Sequence, residues 1–191
     1  MIRTLILALA LMLGATAANA QRYLPGQRGI EISGGLADGF ELSRKDGQAF
    51  YGNIGMSTYN KKGNRCVFGA EYFQRLHGYR EKLLPVAQIT AEGGHYFKLL
   101  SDPGKNVFLS FGVSALAGYE TLNWGKSTLY DGATITGKDG FIYGGAVSVE
   151  VEAFLTDRIV LLVRARERML FGGETGRFHF LLGAGFKFII N

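Results

Sequence analysis

The sequence predicts an all-β protein, an up-and-down antiparallel barrel of about eight strands that crosses an outer membrane. Three observations predict it. Apolar and polar residues alternate with a period of two through most of the chain after residue 20, and no comparable 3.6-residue period is found. Several alternating segments reach the ~9 to 11 residues that a tilted strand needs to cross a bilayer, against ~5 to 6 in soluble sheets. The 28 glycines and 13% aromatics, with only 3 prolines, are scattered singly or in pairs rather than as a linker. Such glycines suit a tight barrel interior.

The first twenty residues are set apart from the fold. Arg3 supplies a positive start, Thr4 to Leu13 a short apolar run, and Ala18-Asn19-Ala20 a small-x-small ending. That is the layout of a secretory signal peptide, with cleavage expected after Ala20. No cysteine stands just after that site, which argues against a lipid anchor. Residues 21–191 then form one domain. Losing Arg3 leaves 20 basic and 16 acidic residues and lowers the net charge from +5 to +4. There is no run of five or six bases, so direct nucleic-acid binding is not expected. Cys66 is the only cysteine, which excludes an internal disulfide and a cysteine-based zinc site. No later stretch approaches the ~20 apolar residues of a membrane helix, so the membrane must be crossed by strands.

Eight strands are expected near Gly29 to Leu36, Ala49 to Tyr59, Cys66 to Arg75, Pro85 to Leu99, Val107 to Tyr119, Phe141 to Leu155, Ile159 to Arg168 and Arg177 to Ile190. Sorting them by parity gives two faces. One is greasy, with residues such as Phe50, Ile54, Phe68, Ala87, Ile89, Phe111, Tyr143, Val149, Val163, Phe180 and Phe188. The other holds Glu31, Ser33, Asn53, Ser57, Glu71, Gln88, Thr90, Glu92, Ser110, Ser114, Ser148, Glu150, Glu152, Arg164, Arg166 and Lys187 among glycines. A soluble barrel turns the polar face outward and an outer-membrane barrel turns it inward. The number of large rings on the greasy face exceeds what eight strands can enclose, which favours the membrane arrangement. Connections alternate in length: long at Ala37 to Gln48, short at Asn60 to Asn64, medium at Leu76 to Leu84, short at Ser101 to Lys105. A long one follows at Glu120 to Gly140, then a tight Thr156-Asp157-Arg158 and a medium Met169 to Gly176. Short periplasmic turns alternating with longer outer loops fit the same arrangement, with both termini periplasmic.

Glu150 and Glu152 lie on one strand and Arg164, Arg166 and Arg168 on the next. A three-residue loop sets Glu150 opposite Arg164 and Ser148 opposite Arg166, with Glu152 diagonal to Arg164. Buried charges persist only when paired, so these residues, with Glu71 and Glu92, are expected to form an ion network that plugs the lumen. A charged solute path is the alternative. No catalytic, cofactor or metal site is expected: the Gly-Gly pairs lack a phosphate-loop lysine and a helix. His77, His95 and His179 fall in separate elements and read as loop or interface residues. A rim site of His77, Asp131 and Glu174 is the one enzyme-like grouping. Tyr23, Trp124 and Tyr130 read as interfacial or loop contacts. The segment Glu120 to Gly140 is either an extended hairpin or lid, or a protein-contact loop through Asn123, Trp124, Tyr130 and Asp131.

The segments GNIGMSTY (52–59), VFGAEY (67–72), PVAQITAEGG (85–94), SALAGYET (114–121), NWG (123–125), FIYGGA (141–146) and LTDRIVLLV (155–163), with FKFIIN (186–191) at the end, resemble the conjugal transfer protein TraO family of Bacteroides-type conjugative transposons. They span nearly the whole chain after residue 20, in order. The resemblance implies a part of a mating apparatus that helps move DNA from donor to recipient. It implies other transfer proteins and outer-membrane lipid as partners, and it brings no catalytic residues or cofactor. Asn191 after Ile190 departs from the terminal aromatic usual in outer-membrane barrels. Alternatives are a general small barrel for envelope stabilisation or adhesion, and a periplasmic lipocalin-like ligand-binding barrel.

Overall fold

The computed structural model describes residues 25–38, 47–80 and 82–190. The signal peptide and its cleavage site, Tyr23, most of the Ala37 to Gln48 connection and Asn191 lie outside the described residues. Eight strands follow one another: β1 (Arg28–Ala37), β2 (Ala49–Tyr59), β3 (Arg65–Tyr79), β4 (Lys82–Ser101), β5 (Val107–Leu122), β6 (Gly140–Phe154), β7 (Ile159–Phe171) and β8 (Phe178–Ile189). Each pairs antiparallel with the next, and β1 closes on β8 through pairs such as Gly29 with Ile189 and Glu31 with Lys187. Closure leaves no strand edge and satisfies the backbone polar groups between strands, the condition for a sheet in hydrocarbon.

The polarity is inverted relative to a soluble barrel. Every polar-face residue named above is buried, down to Glu31, Glu150, Glu152 and Lys187 at 0% exposure. The greasy residues face outward, including Phe68, Ile89, Phe141, Val149 and Phe180. Ala87 is the exception to the parity sorting, a small side chain buried within the outward set. A lipocalin-like barrel requires an apolar interior; this one is charged, and that alternative fails.

The expected medium connection at Leu76 to Leu84 does not exist. β3 and β4 continue through it as a ladder, from Leu76 opposite Pro85 to Tyr79 opposite Lys82. Alternation is lost there in Leu76-His77-Gly78-Tyr79 and Leu83-Leu84-Pro85, so pattern suggests a loop while mutual backbone pairing holds strands. Pro85 is tolerated because β5 ends opposite Val86, leaving no ladder partner on that side for the missing N–H. β7 likewise runs on to Phe171, past the expected Arg168.

Interior glycines make room for rings and backbone. A Cβ on Gly112 would stand 2.5 Å from the ring of its cross-strand partner Tyr96. At Gly144 it would meet the carbonyl oxygen of Met169 at 1.9 Å, which no rotamer change relieves. Gly144→Val is therefore expected to abolish the boiled-versus-unboiled gel shift of the folded barrel. Gly52→Ala, with nothing within 4 Å of the new methyl, should retain the shift and alter stability by no more than about 1 kcal/mol.

Candidate functional site

The lumen is layered from the short-turn end to the loop end. Tyr59, Phe108, Phe154, Val160, Leu162 and Ile189 form an apolar floor. Above it sits a first ionic cluster. Arg164, opposite Glu150 in the ladder, reaches that carboxylate at 2.5 Å and Glu31 at 3.0 Å. Arg65 crosses the lumen to Glu150 and to Glu152, the latter at 2.8 Å. Lys187 pairs with Glu152 and, at 3.1 Å, with Glu31. The Tyr59 hydroxyl accepts from Lys187 at 2.6 Å and donates to Glu152 at 2.7 Å. The Tyr96 ring lies 4.3 Å from the Arg65 guanidinium.

A second cluster follows. Arg166 holds Glu71 at 3.1 Å and Glu92 at 2.8 Å and donates to Ser114. Arg168 holds Glu71 at 2.5 Å and donates to Gln88 at 3.1 Å. The two clusters contain five carboxylates and five cations, so their formal charge cancels. Neutrality matters because a lone ion here would face the full desolvation penalty. Above these layers, Gln88 donates to Glu120, which accepts from Thr175 and from the Glu174 backbone at 2.6 Å, tying the β7–β8 loop to the barrel wall. His179 is buried at Asp38 (2.6 Å), against Phe73. It is thus an interior residue of β8, correcting the loop or interface reading.

All six expected network residues, Glu71, Glu92, Glu150, Glu152, Arg164 and Arg166, are inside and ion-paired. Glu152 differs in its partners: it stands opposite Leu162, and its carboxylate turns to Arg65 and Lys187 rather than to Arg164. Arg65 was hidden by starting β3 at Cys66, although the inward parity of Val67 and Glu71 extends to it. His95 and Cys66 are cross-strand partners on the outer wall, 3.4 Å apart.

The loop after β5 is a folded hairpin. A 3-10 turn at Asn123–Gly125 leads to a bridge between Thr128 and Thr134, and Asp139 holds the Leu122 N–H and the Thr121 hydroxyl, each at 2.8 Å. Its tip docks on the β3–β4 hairpin. Asp131 accepts from the Tyr79 hydroxyl at 3.1 Å and pairs with Arg80 at 2.9 Å, and Lys82 lies over the Tyr130 ring at 4.1 Å. Trp124 stays 56% exposed. The rim grouping does not assemble: His77 and Glu174 share a cleft of about 230 Å³ with Leu84, Val86, Leu122 and Ile135, while Asp131 is committed to the β3–β4 hairpin.

The backbone N–H of Ala133, then Tyr79 and Arg80, hold the Asp131 carboxyl below its usual range. A depressed carboxylate contributes stability above its unfolded pKa of about 3.9 and loses it as pH falls through the lowered value. Fluorescence of Trp124, the only tryptophan, should therefore be constant from neutral pH to about 5. It should change only in more acid solution, whereas Asp131→Asn should give the loosened signal already at neutral pH. In the lumen, Arg166→Met strands Glu92 and is expected to cost about 3–5 kcal/mol in urea unfolding. Adding Glu92→Gln should recover at least about 1 kcal/mol, because the orphaned charge is then gone.

Several solved structures share the fold. Neisserial surface protein A aligns with a TM-score of 0.53 and 14% identity, over 86% of this chain and 96% of that one. The attachment invasion locus protein Ail of Yersinia pestis, solved with the heparin analogue sucrose octasulfate, aligns at 0.50 and 15%, over 86% of this chain and all of its own. No curated protein matches the sequence. The family model described as conjugative transposon protein TraO matches residues 24–190, which include all eight strands of the barrel, and the chain belongs to that family.

Proposed function

We propose that this protein is a non-enzymatic outer-membrane part of the mating apparatus of a conjugative transposon, exported by a signal peptide that is cleaved after Ala20. Membership of the TraO family carries the reading. The inverted polarity of the closed barrel supports the location, since the outward rings and aliphatics are stable only against lipid. The filled lumen supports a role exerted at the two ends. Arg65, Arg164 and Arg166 are each at most 2% exposed and occupy the space a solute would need, so DNA takes another route.

In this reading the short turns and termini meet periplasmic transfer proteins, and the Glu120 to Gly140 loop, with Trp124 and Tyr130 exposed, faces the outside. Deleting the gene from its element should sharply lower transfer frequency, with restoration by the wild-type gene supplied in trans. Undiminished transfer would sink the proposal. Intact mass of the mature protein checks export separately, with Gln21 expected as the first residue.

A further inference from the structure

The charges outside the lumen are unevenly placed. The short-turn end carries Lys61 and Lys62 in the β2–β3 turn, Lys98 near the end of β4, Lys105 in the β4–β5 turn, Arg158 in the β6–β7 turn and Arg28 at the start of β1. Only Asp102 and Asp157 oppose them among the described residues at this end. Six bases against two acids leave an excess of four, equal to the +4 expected of the whole chain after residue 20. Asp102 is moreover committed to its own turn, accepting from the backbone N–H of Gly104, Asn106 and Val107 at 3.2, 2.6 and 2.8 Å. Lys61, Lys62, Lys98, Lys105 and Arg158 are exposed and make no ion pair within the described residues.

We propose that this end is a collar that binds the phosphate headgroups of anionic lipid in the surrounding leaflet. The inference rests on the membrane reading above. Two features select lipid over a protein partner for these bases, leaving the turn backbone and the termini to the transfer proteins. The bases are spread over the β2–β3, β4–β5 and β6–β7 turns, so they encircle the barrel, whereas a docked protein needs them on one sector. The turns are also short, which holds the cations at the level where the outward apolar wall ends. Lys98 shows the arrangement most directly: it is exposed and follows in sequence the outward-exposed Phe97 and precedes Leu99 and Leu100, so its long side chain starts at the edge of the apolar wall. Anionic leaflets attract such bases, and the attraction is screened by salt.

The test uses the full mature chain in nanodiscs of equal phosphatidylglycerol and phosphatidylcholine, with the lipid retained after detergent extraction quantified. The wild type should retain phosphatidylglycerol preferentially, and raised salt should erase the preference. Replacing Lys61, Lys62, Lys105 and Arg158 by Gln should reduce it about tenfold or more. The gel shift on boiling should remain, because none of these side chains enters the lumen. Equal retention by wild type and variant overturns the collar, and so does unchanged retention with reduced transfer, which would assign the bases to an acidic protein. Absence of a boiling shift in the wild type would instead remove the membrane reading itself, and the collar with it.

Discussion

Everything in this molecule depends on keeping ten ionised groups inside a cylinder only wide enough for side chains. Eight strands enclose no bulk water path, so each carboxylate must find its cation across the lumen or along the ladder. The solution is shared pairing. Glu150 answers both Arg164 and Arg65, Glu71 both Arg166 and Arg168, and Lys187 both Glu152 and Glu31. Because several of these pairs span strands that do not touch in the sheet, the network fixes the relative positions of strands that are not neighbours. Arg65 on β3 reaches β6, and Arg166 on β7 reaches β3 and β4. Buried ion pairs are weak evidence of net stability, since apolar replacements of equal volume often do as well. Here they have a second consequence. Lipid takes the apolar face whichever residues form it, so the interior is where strand register is specified.

The parts of this arrangement that are local in sequence were legible. Period-two alternation gave the number of strands, their faces and the sense of inversion, because one set of residues cannot satisfy lipid and lumen at once. The Glu150 to Arg164 pairing followed from a three-residue turn, since a tight hairpin fixes register by its length alone. Contacts across the lumen were not legible. Nothing in spacing says that Glu152 prefers Arg65, 87 residues earlier, to Arg164 on the neighbouring strand, because that choice depends on how far the barrel shears as it closes. The β3–β4 extension was missed for a related reason. Above the lipid the outward face meets water, alternation is no longer enforced, and Leu76 to Leu84 reads as loop although its backbone pairs throughout.

His179 shows the same limit from the other side. Its ring is interior because β8 carries it inward between Phe73 and Asp38, and Asp38 comes from the far end of β1. Only the closure of β1 on β8 brings those groups together, a contact between the two ends of the chain that no local pattern records.

A sealed lumen also constrains what the protein can contribute. Transport through the barrel would require the two ionic clusters to open together, stranding charges that are now mutually compensated. The strands themselves are committed to lipid on one side and to the network on the other. What remains chemically available is at the ends: a loop end where Asp131, Tyr79, Arg80 and Lys82 lock one hairpin against another and leave Trp124 outward, and a turn end that concentrates the net positive charge. Among the described residues of the loop end, these contacts tie the β5–β6 hairpin to the β3–β4 hairpin, so it is suited to present a fixed surface. The turn end has few internal partners for its bases, so it is suited to bind something anionic. A closed barrel that holds these two unlike surfaces at its opposite ends is the physical basis of the structural role proposed above.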